Sequence, residues 1–280
     1  MNEDFEALKK ARKRIFLTAY NCGSAHLASA FSIVEILHVL YERHVLNYDS
    51  KNPGWEQRDR LILSKGHGSL ALYDALCTAG YFTEKELFNF CRPGSLLGGE
   101  PNTLETPGVE ASTGSLGHGL SIGVGMALAA KADGLNNKIY VILGDGECEE
   151  GSVWEAVMSA AAFKLDNIVA ILDQNRLQKM DFVNEIMGID TWKERFEVFG
   201  WQVKQSDGHN IKDLYHQLTS PWEAKKPHLL LADTTKGKGI SLMENAPGWH
   251  FRMPNKRELK VFMSELGITE EELEQCKKHI

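Results

Sequence analysis

This chain has no apolar run of membrane-spanning length, no excess of basic over acidic residues and no paired cysteine motif, and each absence removes a class of function. Without a long apolar run there is no candidate transmembrane helix, and residues 1–14 are charged where a secretory signal would be apolar, so a cytoplasmic location is expected. A net charge of −7 argues against nucleic acid or an anionic membrane as partner. The five cysteines, Cys22, Cys77, Cys91, Cys148 and Cys276, are odd in number and widely spaced, with no Cys-x-x-Cys pair. Neither a disulfide framework nor a zinc site is expected from them. Repeats and low-complexity tracts are also missing.

What is present is a chain of 280 residues, 43% apolar, able to bury a substantial core. Helical periodicity at 5–20, 32–45, 69–79, 116–132, 151–164 and 211–218 alternates with short apolar runs at 61–63, 138–143, 168–172, 201–204 and 228–232. Helices alternating with about five such runs predict an α/β fold, a mainly parallel sheet with helices on both faces. Capping-box pairs mark three helix starts: Thr83 with Glu86, Thr191 with Glu194, and Thr269 with Glu272. The stretch 92–109 is rich in Gly and Pro and lacks periodicity, as a functional or mobile loop would. Residues 255–280 read as two short charged helices that complete one domain spanning 1–280.

Two strand ends carry the chemistry. The run 138–143 ends in Gly144-Asp145-Gly146, and the run 168–172 ends in Asp173-Gln174-Asn175, with an Ala-rich helical stretch between them. Parallel strands joined by a crossover helix bring both endings to one edge of the sheet, where ligands of open α/β sheets bind. A hard divalent cation takes oxygen ligands, a few from protein and the rest from phosphate and water. Asp145 offers a carboxylate and Asn175 an amide oxygen, while the flanking glycines let backbone approach a phosphate. The pair therefore reads as a site for a magnesium ion carrying a diphosphate. The segment Lys236-Gly237-Lys238-Gly239 lacks Walker spacing and is not read as a nucleotide loop.

With these endings stand Gly23-Ser24-Ala25-His26, Leu63-Ser64-Lys65-Gly66-His67-Gly68, Thr113-Gly114-Ser115-Leu116-Gly117, and the lysine-glycine segment followed by Trp249-His250. In this order they resemble the transketolases, a branch of the thiamine diphosphate enzymes. The resemblance implies the thiamine diphosphate-binding fold, with thiamine diphosphate and Mg2+ as cofactors and Ca2+ as a substitute ion. In that family one long chain normally carries a diphosphate-binding domain, a pyrimidine-binding domain and a third domain, and this chain matches the first alone. It therefore looks like the amino-terminal subunit of a split transketolase, expected in an α2β2 assembly with a separate carboxy-terminal subunit that carries the pyrimidine-binding domain. The expected reaction is transfer of a two-carbon ketol unit from a ketose to an aldehyde acceptor, on small sugars or sugar phosphates, and only with the partner present.

Roles follow from the resemblance position by position. The metal shell is Asp145, Asn175 and the backbone carbonyl of Leu177. Cofactor contacts are His67, Gly114, Ser115, Leu116, Gly146, Asn175 and His250, with residues 114–116 beginning a helix whose amide groups could face the diphosphate. Substrate contacts are His26, Glu100 and His250. Catalytic roles fall to His26, His67, His250 and Glu150, the last in an acidic network joining paired active sites. Histidines suit the proton transfers, since their ordinary pKa lies near working pH. Taken singly, each histidine is as readily structural, residues 114–116 a plain helix start, and Glu150 a solvated first-turn carboxylate. His118 and His209 match no catalytic position.

The chain also departs from the family. Gly99-Glu100-Pro101 stands where Gly-His-Pro is common, Phe251 where Gly is usual, and Ala25, Leu27 and Ala28 where Gly, Pro and Gly surround the histidine; Gln178-Lys179-Met180-Asp181 is a changed loop. A carboxylate cannot donate like imidazole unless protonated and would repel a phosphorylated sugar, so the ordinary pentose phosphates are in doubt. Two other readings stay open: half of a 1-deoxyxylulose-5-phosphate synthase-like or decarboxylating thiamine enzyme, and a noncatalytic binding subunit that keeps the fold.

Overall fold

The computed structural model describes residues 2–188 and 191–277; Met1, Ile189, Asp190 and the last three residues of the expected 1–280 span lie outside them. All five apolar runs form strands: β1 Arg60–Leu63, β2 Ile139–Gly144, β3 Ile168–Gln174, β4 Gln202–Asp207 and β5 His228–Asp233. They make one parallel sheet in the order β1-β2-β3-β5-β4. The helices before β2 are α1 Asn2–Cys22, α2 Leu27–Phe31, α3 Val34–Tyr41, α4 Ser69–Thr78, α5 Glu84–Phe88 and α6 Gly119–Ala132. Those after it are α7 Gly151–Ala162, α8 Val183–Ile186, α9 Trp192–Val198, α10 Ile211–Thr219, α11 Glu258–Leu266 and α12 Glu270–Lys277. Among the described residues, no helix is long and apolar enough to cross a membrane.

Side-chain alternation along the strands divides the core in two. Tyr140, Ile142, Val169, Ile171 and Leu230 face a layer built from α1, α3, α4 and α10, with Phe16, Ile36, Leu72 and Leu214 among its buried side chains. Ile139, Val141, Ile168, Ala170 and Leu229 face the opposite layer, where Leu120 and Ala127 of α6, Val153 and Val157 of α7 and Phe196 of α9 are buried. Burial on both faces explains why the central strands read as unbroken apolar runs. At the sheet edge, β4 is polar and only partly buried. The helices α11 and α12 close over α1, with the Phe262 ring 5.1 Å from that of Phe16.

Three local expectations are corrected. The helix expected over 32–45 is shorter, running as α3 from Val34 to Tyr41, and a break at Ser32 and Ile33 separates it from the short α2. The Ser32 hydroxyl there bonds Ser29 O at 3.0 Å and Asp173 Oδ2 at 2.8 Å, a tertiary contact invisible to periodicity. The helix expected from residue 116 begins at Gly119, because Gly117 adopts φ +83°. Residues 114–116 are thus a loop ahead of the helix, and the helix's own first amides serve the protein: Gly119 N donates to Ser64 Oγ at 3.1 Å and Gly117 N to Glu147 Oε1 at 2.9 Å. Capping boxes close at Thr83–Glu86 and Thr269–Glu272, but Thr191 Oγ1 accepts instead from Arg195 Nε at 3.2 Å.

The register fixes the functional edge. Gly144 pairs with Asp173, and Asp173 with Ala232, so Asp145 follows that shared level by one residue and Asn175 and Thr234 by two, all on the same edge of the sheet.

Close packing of α6 on β2 generates a paired prediction. A Cβ added at Gly123 would lie 2.6 Å from Val141 Cγ2, whereas one at Gly125, on the exposed side of the same helix, meets open space. Gly123→Ala is expected to destabilise by about 1–2 kcal/mol after its gain in helix propensity is counted. Gly125→Ala should stabilise by up to about 1 kcal/mol. Urea denaturation of both variants decides this; equal effects would mean that α6 does not seat against Val141.

Candidate active site at the strand ends

A cavity of about 310 Å³ opens where β1, β2, β3 and β5 end. It collects residues distant in sequence: His26, His67, Glu100, Gly114, Leu116, Asp145, Gly146, Asn175, Leu177 and His250 all line it. Of the expected site residues, Ser115 and Glu150 stand outside its lining, both exposed. A larger groove of about 470 Å³ beside Trp154, Thr191, Arg195 and Phe199 holds none of them. Chemistry therefore concentrates in the smaller space.

Three imidazoles form one corner. His26 caps α2, His67 lies in the 3-10 turn after β1, and His250 follows the 3-10 turn Pro247–Trp249. Their ring centroids stand 5.5 Å (His26–His67), 5.2 Å (His26–His250) and 5.6 Å (His67–His250) apart. Burial, with Lys236, Lys179 and Lys65 nearby, holds His26 down to about 4. Burial and the same lysines, joined by His26, bring His250 to about 3, and burial with Lys65 pushes His67 well below its ordinary value. All three are neutral imidazoles at neutral pH, each able to donate from one nitrogen and accept at the other. Phe251 closes this corner, its ring 4.5 Å from that of His26. The altered neighbours Ala25, Leu27 and Ala28 are buried core residues, which accounts for their apolar character.

The other corner presents hard oxygen donors. Asp145 accepts from Gly146 N at 2.8 Å and from Arg176 N. Asn175 Oδ1 accepts from Leu177 N at 3.1 Å, and the Leu177 carbonyl accepts from Lys236 Nζ at 2.8 Å, which occupies one of its two lone pairs. Burial, with Asp173 close by, pushes Asp145 up to about 7. Gly146 lies against Gln178, whose Cγ would stand 2.6 Å from an added Cβ, and Gly114 against Glu100, while at Gly144 the nearest atom to an added Cβ is 3.8 Å away.

Beneath the cavity lies a polar cluster that sequence reasoning missed. Asp173 is fully buried and accepts from Lys65 Nζ, Thr234 Oγ1, Ser32 Oγ at 2.8 Å and Asn175 Nδ2 at 2.7 Å. Burial alone would raise its pKa, but Lys65 and the hydroxyls hold it below the usual value. Lys236 is also buried, and burial beside Lys65 lowers it to about 8. Glu147 accepts from Gly117 N and Ser64 Oγ on one oxygen and from Gly144 N at 3.0 Å on the other. The available signal for Asp173, Lys65 and Lys236 was a charged residue at or just after the end of an apolar strand; nothing in the sequence separates Glu147 from Glu149 and Glu150. His209, set aside from the sequence, binds Glu35 and the Thr235 amide, and His118 is an exposed cap of α6.

A family model described as transketolase, thiamine diphosphate binding domain, matches residues 10–278. The chain is 43% identical over 266 residues to one of the subunits of the apulose-4-phosphate transketolase of Actinobacillus succinogenes, covering 94% of this chain and 96% of that one. It is 41% identical over 245 residues to the 6-deoxy-6-sulfo-D-fructose transketolase subunit SqwG of a Clostridium species, covering 87% and 89% respectively. The solved transketolase of Campylobacter jejuni superposes with a TM-score of 0.85 at 31% identity, over 98% of this chain and 46% of that chain. The chain thus spans under half the length of that solved relative.

The buried pair under the cavity is open to test. Lys65→Met leaves Asp173 charged and uncompensated, and is expected to cost about 3–5 kcal/mol of stability. Adding Asp173→Asn should restore part of that loss, with a coupling of at least about 1 kcal/mol in a double-mutant cycle. Additive single losses in urea melts would show that the two groups do not depend on each other.

Proposed function

The chain belongs to the transketolase family, as its thiamine diphosphate-binding domain, and we propose that it is the diphosphate- and Mg2+-binding subunit of a split, heteromeric transketolase that moves a two-carbon ketol unit from a ketose to an aldehyde acceptor. The observation that carries this reading is the convergence of three neutral histidines and an oxygen-donor corner in one cavity. Relatives of nearly equal length that are named as subunits support a separate partner chain, read here as the pyrimidine-domain subunit in a cytoplasmic α2β2 complex. Names that specify a sugar phosphate and a sulfo sugar support a sugar substrate bearing an acidic group.

The residues present fit the cofactor. Asp145, Asn175 and the Leu177 carbonyl offer the all-oxygen donor set that Mg2+ takes, and Gly144, where an added Cβ would meet nothing nearer than 3.8 Å, leaves room for phosphate oxygens. Thiamine diphosphate, when bound, supplies the electron sink for carbon–carbon cleavage. The protein's share is positioning and proton movement. His26, His67 and His250 are uncharged and close enough for one substrate hydroxyl to reach any of them, so each can accept a hydrogen bond at one ring nitrogen and donate from the other. Lys236 and Lys65 contribute positive charge against an anionic ligand. Phe251 packs beside His26 and gives that imidazole an apolar neighbour. Exposed Glu150, at the start of α7, is free to meet an acidic network contributed by a neighbouring protomer.

Purifying this chain with and without its pyrimidine-domain partner, then adding thiamine diphosphate and Mg2+, tests the proposal. Ketose cleavage is expected only in the mixture, with loss on chelation by EDTA and recovery with Mg2+. Asp145→Ala should abolish cofactor retention, read by calorimetry, while the chain still folds. Turnover of pyruvate in place of a ketose would move the chain to a decarboxylating class, and no cofactor binding in the mixture would make it a noncatalytic subunit.

A further inference from the structure

Three carboxyl groups line the cavity, and two already have hydrogen-bond partners in the protein: Asp145 accepts from one backbone amide on each oxygen, and Glu147 from two amides and Ser64. Glu100 differs. Its Oε2 is buried and has no hydrogen-bond partner among the described residues. Two glycines make room for it: a Cβ on Gly66 would lie 2.5 Å from Oε2, and one on Gly114 would lie 3.2 Å from Cγ. The loop that carries it is pinned, with Ser69 Oγ donating to Gly99 O at 2.7 Å, Tyr73 Oη to Glu100 O at 3.0 Å, and Thr113 N to Pro101 O at 3.2 Å. The side chain is therefore held in the cavity by its backbone and left unsatisfied at its tip.

Glu100 is half-buried, but an ionised carboxylate with one oxygen shut from solvent and offered neither cation nor donor is costly, whereas the neutral acid needs only one acceptor for its O–H. Three cations line the cavity: Lys65 is bonded to Asp173, Lys236 to the Leu177 and Gln178 carbonyls and His250, and Lys179 is exposed, with no bond joining it to Glu100 among the described residues. Around Glu100 stand His67 on the β1 turn, His26 and His250 across the cavity, Tyr73 of α4 and Cys91 at the head of its own loop. Each is neutral in the form these surroundings favour. Consistent with this geometry, burial pushes Glu100 up to about 7.

Resting on the transketolase reading above, we propose that Glu100 is a substrate-recognising residue that works as an un-ionised carboxylic acid, donating its proton in a hydrogen bond to a hydroxyl or carbonyl oxygen of the sugar. This assigns to the Gly66–Gly114 end of the cavity the uncharged polyol part of the substrate. It also makes recognition sensitive to pH: above about 7 the acid loses its proton, the donor vanishes and the lone carboxylate repels oxygen lone pairs.

Two measurements test the proposal. In the full chain labelled with glutamate 13C at the side-chain carboxyl, the signal that disappears in Glu100→Gln should titrate with a midpoint near 7; a midpoint in the ordinary glutamate range, about 4.3, would overturn the proposal. In the complex with the partner subunit, using apulose 4-phosphate as ketose, the ratio of wild-type to Glu100→Gln KM should climb about tenfold per pH unit above 7, with no matching change in the kcat ratio. The amide donates at every pH, so its own profile lacks that rise. Parallel KM profiles for the two proteins would overturn substrate recognition even if the midpoint were high. If the complex turns over nothing, the transketolase reading fails on its own, and the titration still decides the state of Glu100.

Discussion

One buried carboxylate holds the functional edge together. Asp173 ends β3 in the centre of the sheet and gathers donors from the turn after β1, the segment after β5, the α2–α3 junction and its own neighbour Asn175. A charge without solvent requires such company, since an unmatched one would be strongly destabilising. Its demand for donors orders four segments at once, among them those that present His67, Asn175 and Lys236 to the cavity. The same demand breaks the helix after Phe31 and so aims the short α2, with His26 at its head, toward the site.

Above this cluster, electrostatics divides the cavity into two kinds of surface. Burial, joined by the nearby lysines, keeps the three imidazoles free of protons, so they serve as hydrogen-bond donors and acceptors rather than as cations. Carboxyl groups at the rim are tied by backbone amides that also fix the loops, with Glu147 joining the loop before α6 to the end of β2. Polarity in this site is thus mostly committed to architecture. The few groups left uncommitted are the informative ones, and Glu100 is the clearest of them.

Much of the fold was legible because it rests on local patterns: five apolar runs became five parallel strands, and buried faces on both sides made those runs conspicuous. Motif positions were legible too, since glycines beside charged residues at strand ends are unusual combinations. What escaped reading depends on long-range partners. Ser32 looks like any helical serine until Asp173, far along the chain, claims its hydroxyl. Gly117 looks like part of a helix start until its left-handed backbone turns its amide toward Glu147. Lys65 sat inside a quoted motif, yet its role as the counter-charge of a buried acid follows only from the sheet order that places β1 two strands from β3.

Because every cavity residue hangs from the carboxyl edge, the opposite rim of the sheet is chemically idle. The turn between α6 and β2 lies there, with Asp133 and Gly134 exposed and open space around Gly134. A reporter domain or surface-attachment tag spliced into that turn would sit a full strand length from the cavity mouth, giving a handle for orienting the molecule on a sensor with its binding face outward.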